Sequence, residues 1–546
     1  MKTTRSKNLI LISLLLVVFV SFSFQSKFFE VAKQIEIYTG LFKELNMYYV
    51  NEINPAELTT KAIKNTLESL DPYTNFYNEQ EVEAAKIRSE GEYGGIGASV
   101  RYSKKDITIV SVYKGFSADK AGIKTGDIIT KINNQSLGEL LEEDVSGLLL
   151  GVPGSEISLQ VLRAGKTLNF NLKREEVEVN PVPFYDMLSE DTGYIVLTQF
   201  NEKASEEVKK AFLSLKEKGL KKLIFDLRGN PGGSLMESIR ISNFFLPQKS
   251  IIVSTKGKVK KWSNIYTAQE KALDLETPIV VLINGRSASA SEIVTGALQD
   301  YDRAVVLGQR SYGKGLVQRY RPLTYGTQLK VTISKYYTPS GRCIQELDYA
   351  NRQANGDVPK FSDQGVNQFK TKNGRVVFDG GGILPDIKFG SSNLNKETET
   401  LLQTSSLFDF ATSYSQEHRD LPNWESYEVS EADFQKFVNY LKRDTSFVSI
   451  QEVAFKNALQ SINAEDSKSI SKSYLQLMSS LKENKIKAIS KDKEAIKIAL
   501  KELIVERYAY ETGVYSNKIK TDKTIQEALT LLNNSKQYEA VLSVKK

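Results

Sequence analysis

The stretch Asn284-Gly285-Arg286-Ser287-Ala288-Ser289-Ala290-Ser291-Glu292 sets three serines, spaced by alanine, between two apolar segments, Pro278 to Ile283 and Ile293 to Leu298. The first reads as a buried strand and the second as a helix. A small-residue turn between strand and helix can hold a nucleophile rigidly and still expose it. A serine hydroxyl is weakly nucleophilic and needs a base within hydrogen-bond reach. The chain has one histidine, His418, far along the sequence and without catalytic neighbours. A histidine-based triad is therefore poorly served, and lysine is the better candidate base. Ser311-Tyr312-Gly313-Lys314-Gly315-Leu316-Val317-Gln318 supplies one. The chemistry this set could support is acyl transfer, with one of the three serines as nucleophile and Lys314 as its base.

A lysine amine at its ordinary value of about 10.4 is almost wholly protonated at neutral pH, and bringing it down by about three pH units takes about 4 kcal/mol. Burial of one ammonium among neutral groups supplies effects of that size. No carboxylate lies within three residues of Lys314, and its flanking glycines allow close backbone approach. The developing oxyanion needs two aligned N–H donors. Ala290, after the candidate nucleophile and at a helix N-terminus, offers one. The turn Arg228-Gly229-Asn230-Pro231-Gly232-Gly233 offers the other through Gly232 and Gly233. Ser/Ala turns also serve as plain helix caps, and spacing alone does not choose among Ser287, Ser289 and Ser291.

The elements that must position these groups alternate strand and helix over residues 176–390. Gly193–Leu197 and Leu223–Leu227 read as strands, Ser205–Lys218 as an amphipathic helix, and Ser234–Phe245 as a second helix. Strands follow at Ile251–Ser254, Pro278–Ile283 and Arg303–Leu307. A long alternating strand, Gln328 to Tyr337, has Leu329, Val331 and Ile333 on one face. The order predicts a layered α/β domain.

Residues 89–175 differ in character. Glycines cluster at Gly91, Gly94, Gly95 and Gly97, and short alternating strands follow at Ile107–Val110, Ile157–Leu162 and Thr167–Leu172. The pattern Ala118-Asp119-Lys120-Ala121-Gly122 through Gly126-Asp127-Ile128-Ile129 resembles a PDZ domain, with Phe116-Ser117-Ala118 where such domains usually have Ser-Pro-Ala. PDZ domains add an extended C-terminal peptide to a sheet edge and capture its carboxylate on backbone amides. Gly94-Gly95-Ile96-Gly97 is the candidate peptide-binding loop, since glycine lets N–H groups converge.

The first 26 residues carry Lys2, Arg5 and Lys7 ahead of an apolar run from Leu9 to Phe24. This is the pattern of an export signal, with an uncleaved membrane anchor as the alternative. Residues 27–88 read as helices, with Phe28, Phe29, Val31, Ile35, Leu41 and Phe42 as a stripe and Asn54-Pro55 opening a helix through Leu70. Residues 391–546 are poor in glycine and helical in spacing. Ser430-Glu431-Ala432-Asp433 marks a helix start, and Ile486 through Ile504 reads as one long helix.

At 546 residues the chain needs several cores. A net charge of +7 is small for this length, and no basic block with interleaved aromatics speaks for nucleic acid. The single cysteine, Cys343, excludes an internal disulfide, and one histidine excludes a His-rich zinc site. No cofactor or metal is expected.

Four motifs occur in order: R-G-N-P-G-G, N-x-x-S-A-S-A-S-E-I, G-x-x-S-Y-G-K-G-x-V-Q and Tyr337-Thr338-Pro339-Ser340-Gly341. Together they resemble the carboxy-terminal processing (tail-specific) serine peptidases over about residues 30–390. In that family the nucleophile is the middle serine, 25 positions before the lysine, which Ser289 and Lys314 match. The resemblance also implies that Gln318 holds the neutral amine. It implies a crotonase-like α/β protease core at 176–390 with a small β-rich PDZ domain at 89–175, and with the helical spacing of the C-terminal helical region at 391–546, which these motifs do not cover, the chain reads as α+β multidomain. It further implies an exported serine endopeptidase in the periplasm or cell envelope. The implied partners are C-terminal tails of envelope or misfolded proteins. Added helices in some relatives suggest homo-oligomers or an adaptor through the C-terminal region. A non-catalytic peptide-binding scaffold is disfavoured by the intact Ser, Lys and Gln. A crotonase-type acyl-CoA enzyme is disfavoured by the export signal and the PDZ.

Overall fold

The computed structural model describes residues 28–102, 107–137, 148–353, 355–361, 367–390, 394–460 and 464–543. The expected export signal over residues 1–26 lies outside them. The chain divides into two compact units, Met1–Phe76 and Tyr77–Lys546.

In the first unit a helix covers residues 28–48. The predicted stripe forms, but Phe28, Val31 and Ile35 each remain more than half exposed. The next helix is Pro55–Glu68, two residues shorter than the pattern predicts. The Asn54 side chain accepts from the amides of Ala56 and Glu57, and Pro55 takes the first helical position, where its missing N–H costs nothing.

The second unit is built on a six-stranded sheet. Its order is Phe184–Met187, Thr192–Val196, Lys222–Asp226, Ile279–Ile283, Ala304–Gly308 and Ile387–Lys388. The first pair is antiparallel and the rest are parallel. Parallel strands are covered on both faces, and alternate residues here feed two cores. Ile195, Phe225, Val281 and Val306 face the helices Ala204–Glu217, Leu235–Phe245 and Ala290–Asp300. Tyr194, Ile224, Val280, Leu282 and Val305 face the other way, onto Ile525, Ala528, Leu531 and Leu532. Those residues belong to the penultimate helix, Lys523–Asn533, and Tyr538 of the last helix, Ser535–Leu542, joins them. The boundary expected at 390 divides the chain but not this core. Tyr538 Oη both donates to the Ile279 carbonyl and accepts from its amide, at 3.0 Å each.

A second, antiparallel sheet leans on this core. Gln328–Tyr337 pairs with Ile251–Gly257 and with Leu316–Pro322, and the latter pairing shifts register between Val317 and Gln318. Such a bulge turns a side chain out of the regular alternation.

The described strands between Ala98 and Lys173 form a separate six-stranded antiparallel sheet around Ile109, Ile123, Ile132, Leu159 and Val161. Glu92–Gly95 and Glu175–Glu178 pair as an antiparallel ribbon where the chain enters and leaves it. In the C-terminal region, the single long helix expected through Ile486–Ile504 is two, Ala464–Lys491 and Lys493–Thr521, separated at Asp492. Ile489, Ile496, Leu500 and Ile504 pack with Phe410, Phe434 and Phe437, whereas Ile498 is exposed. Sequence periodicity runs straight through the break because both helices present the same apolar stripe to one core.

Candidate active site

The strand Ile279–Ile283 ends at Asn284, and the helix Ala290–Asp300 starts at Ala290. Between them Ser289 sits at φ 55°, ψ −111°. A side chain at positive φ carries roughly 1–3 kcal/mol of backbone strain. The surrounding hydrogen bonds hold it there. Tyr336 Oη donates to the Ser289 carbonyl at 3.1 Å, and the Ser289 amide donates to Glu292 Oε2 at 2.8 Å.

The neighbouring serines have other work. Ser287 is fully buried; its Oγ donates to the Leu227 carbonyl and accepts from the Asn284 amide. Ser291 is also fully buried and donates to the Asn230 carbonyl at 3.0 Å. Ser287 thereby ties the serine turn to Leu227, and Ser291 ties it to the Arg228–Gly233 turn. Ser289 alone of the three lines a cleft of about 670 Å³, together with Lys314, Gln318, Gly232, Gly233 and Ala290. One wall of that cleft is the hairpin of Leu316–Pro322 with Gln328–Tyr337, and Phe200, Trp262 and Tyr266 add aromatic surface. His418 lies elsewhere, stacked on Tyr414 at the end of the helix Ser406–Glu417. Cys343 is half-buried, and burial pushes its thiol up.

The Arg228–Gly233 turn meets Ser289 directly. A Cβ on Gly232 would lie 2.8 Å from Ser289 Cβ and 2.9 Å from the Ala290 nitrogen, and Gly232 has φ +97°. Only glycine suits both constraints. The Gly232 amide donates to Asn230 Oδ1 at 2.8 Å. Among the described residues the amides of Gly233 and Ala290 donate to no protein acceptor. Two candidate donors thus remain, one on each side of Ser289. Gly232 contributes its bare Cα and the Ala290 side its helix terminus. Gly232→Ala is expected to lower turnover by about a hundredfold or more, the loss typical of a disabled oxyanion donor, with folding retained by circular dichroism.

Two residues that sequence reasoning left without a role hold this arrangement together. Asn230 is fully buried. Its Nδ2 donates to the Leu197 carbonyl, and its own carbonyl accepts from the Ala288 amide and Ser291 Oγ. Glu292 is likewise fully buried. Its Oε1 accepts from Ser311 Oγ at 2.6 Å and the Gly313 amide at 2.7 Å. Its Oε2 accepts from the amides of Ser289 at 2.8 Å and Lys314 at 2.9 Å. One carboxylate therefore joins the backbone of the candidate nucleophile to that of the candidate base, 25 residues apart in sequence. Burial pushes Glu292 up to about 7, while hydrogen bonds from Ser311, Gly313, Lys314 and Ser289 pull it down. The sequence signal was available: Glu292 is the acid three residues after Ser289, where a carboxylate folds back onto the N-cap amide.

Gln318 sits at the hairpin bulge and donates from Nε2 to Thr332 Oγ1 at 3.2 Å. Of the candidate peptide-binding loop, Gly94 and Gly95 lie in the ribbon opposite Glu176 and Glu175. Ile96 is buried in the small sheet's core, and its carbonyl accepts from the Ala118 amide. Gly97 turns at φ +75°, and a Cβ there would lie 2.1 Å from Phe116 Cβ. The tight turn is thus Ile96–Gly97, closed over by the phenylalanine that departs from the usual pattern.

Three family models match this chain. Peptidase family S41 covers residues 191–350, a PDZ domain covers 94–173, and "Probable PDZ-protease, C-terminal helical domain" covers 397–532. The chain is similar to a carboxy-terminal-processing protease of Bartonella bacilliformis, 37% identical over 324 residues, spanning 58% of this chain and 73% of that protein. It is similar to a "Probable CtpA-like serine protease" of Staphylococcus aureus, 33% identical over 364 residues, spanning 66% of this chain and 72% of that protein. Among solved structures it resembles a photosystem II D1 C-terminal processing protease at 25% identity and a TM-score of 0.37, over 66% of this chain and 94% of that one.

Proposed function

The chain belongs to the carboxy-terminal-processing serine proteases of peptidase family S41, as a PDZ-containing serine-type peptidase, and on that premise we propose that it is an exported endopeptidase that cleaves tailed proteins with a Ser289–Lys314 dyad. The observation that carries this reading is the convergence of Ser289, Lys314 and the amides of Gly233 and Ala290 on one cleft, with Glu292 fixing the spacing of the two reacting residues.

In the proposed reaction the neutral Lys314 amine takes the Ser289 proton as Oγ attacks the scissile carbonyl. The tetrahedral oxyanion rests between the Gly233 and Ala290 amides, the latter aided by the helix dipole. Lys314 then gives its proton to the leaving amine, and water activated by the same amine hydrolyses the acyl-enzyme. Gln318 spends an Nε2 hydrogen on Thr332, so its carbonyl oxygen is the atom suited to hold the lysine amine. The positive φ at Ser289, its place in the cleft lining and the buried hydrogen bonds of Ser287 and Ser291 support the middle serine as nucleophile.

The small β domain would take the substrate's C-terminus near the Ile96–Gly97 turn, adding the tail as a strand. Substrates of this design are envelope or misfolded proteins with accessible tails, and the expected location is the periplasm or cell envelope. The test is digestion of an unfolded tailed protein, read by mass spectrometry, with its C-terminus free or amidated. Cleavage is expected to slow about tenfold or more on amidation, since the amide loses the charge-assisted bonds of a carboxylate. Equal rates would remove the tail-reading role while leaving the dyad standing.

A further inference from the structure

We propose that the C-terminal helical region is part of the catalytic apparatus, with Asp522 as a positioning residue for the turn that carries the Gly233 amide. This rests on the reading of that turn as half of the oxyanion site. Asp522 lies where the long helix Lys493–Thr521 hands over to Lys523–Asn533. Its two oxygens do different things. Oδ1 caps the second helix, accepting from the amides of Thr524 at 2.8 Å and Ile525 at 3.3 Å. Oδ2 accepts from Arg228 Nη1 at 2.8 Å.

Arg228 opens the turn, five positions before Gly233. Its Nε and Nη2 donate to Asp226, at 3.0 Å and 2.7 Å. Asp226 in turn accepts from Tyr194 Oη at 2.6 Å and from the Arg228 amide at 2.9 Å. A planar guanidinium gripped on two edges by carboxylates has its plane fixed, which a single carboxylate would not achieve. The turn itself contains Gly229, Gly232 and Gly233, all at positive φ, so its backbone is held mainly from outside. Its own side-chain anchors are Arg228 and Asn230, Asn284 Oδ1 accepts from the Gly229 amide at 3.0 Å, and Asp522 is one of the two carboxylates that hold Arg228.

The chain leading into Asp522, kinked at Tyr510, also contacts the PDZ domain. Tyr510 Oη donates to Asp119 Oδ1 at 2.6 Å, and Ser111 Oγ donates to Glu506 Oε1 at 2.9 Å. Tail-reading domain and oxyanion turn are thus both contacted from residues 506–522, a stretch that kinks at Tyr510.

The capping and clamping roles separate experimentally. Asparagine caps a helix about as well as aspartate, so Asp522→Asn keeps the cap and loses the ionic clamp. Ile525→Ala does the reverse: it weakens packing of the same helix on the sheet and leaves the carboxylate. Kinetics on a short internally quenched peptide and melting curves are measured for the full chain and both variants. Asp522→Asn is expected to keep its Tm within about 3 °C and to lower kcat about 30-fold with KM within about twofold, since small misplacements of reacting groups cost up to about a hundredfold. Ile525→Ala is expected to lower Tm and leave kcat within about twofold at 20 °C. Asp522→Glu, which keeps the charge, is expected to recover kcat to within about fivefold. A kcat for Asp522→Asn within twofold of the parent, or a loss that Ile525→Ala matches, overturns the proposal. If Asp522→Asn does not fold, Asp522→Glu decides: a folded enzyme slowed 30-fold or more overturns it. Failure of the unaltered chain to cleave at all would instead strike the function itself.

Discussion

Ser289→Ala is expected to lower cleavage of an unfolded tailed protein by on the order of 10⁵-fold, and Lys314→Ala by a similar factor, with the melting temperature unchanged within a few degrees. The reason is that in the proposed reaction the two act as a unit. Without Oγ there is no acyl-enzyme, and without a neutral amine the hydroxyl keeps its proton. Combining both changes should cost little more than either alone. Ser289→Ala removes one oxygen from a residue that lines the cleft, and the fold is expected to survive it. Ser287→Ala and Ser291→Ala provide the contrast. Each removes a fully buried hydroxyl bonded to a backbone carbonyl, which should cost about 1–3 kcal/mol of stability and leave the chemistry possible. Appearance of the same cleavage products from Ser289→Ala would sink the dyad, as would a Ser287 or Ser291 variant that is stable yet inert.

The second large effect is expected at Glu292. Four donors converge on its two oxygens, and three of them are backbone amides that cannot turn away. They require a carboxylate. Glu292→Gln places an NH2 group against amide donors in a fully buried site, and a loss of about a hundredfold in kcat is expected as Ser289 and Lys314 lose their common tether. Its protonation gives the pH dependence a definite sign. The folded carboxyl stands at about 7, above the ordinary value of 4.5. The folded state therefore binds this proton more tightly than the unfolded chain. The resulting stability, about 3 kcal/mol, is present in full below about 4.5 and is lost as pH rises through about 7. Activity runs the other way, because the ionised form is the one that organises the site. Both Glu292 and, in the proposed reaction, Lys314 must lose a proton on the acid limb of kcat/KM. That limb should be steeper than one proton in the unaltered enzyme and should relax to one proton in Glu292→Gln. A Gln variant with an unchanged rate and an unchanged limb would remove Glu292 from the mechanism.

Much of the site's scaffold was legible in the chain. Buried parallel strands read as unbroken apolar runs, so Ile279–Ile283 and Lys222–Asp226 fall within a residue of where the pattern sets them. Gln328–Tyr337 coincides with its predicted span. Caps were equally local: Asn54, Ser234 and Ser430 each accept from the first turn of the helix they precede. What failed was read from runs that mean two things. Gly94 and Gly95 looked like a loop and lie in a paired ribbon, because glycine also marks places where backbones approach closely. The stripe through Ile486–Ile504 looked like one helix and is two, because periodicity does not register a one-residue break.

The sequence by itself determined the types of reacting group available. One histidine and an ordered set of Ser, Lys and Gly motifs point to a serine and a lysine as the groups to propose. It also determined the local devices that follow from neighbours in the chain: strand, elbow, helix and cap. Only the tertiary structure decided how those groups are fixed to one another. Glu292 bridges backbones 25 residues apart, Asn230 ties the serine turn to the glycine turn, and Asp522 reaches Arg228 across 294 residues. Hydrogen bonds of this kind depend on which buried donor meets which acceptor after the layers have packed, and no spacing along the chain encodes that meeting.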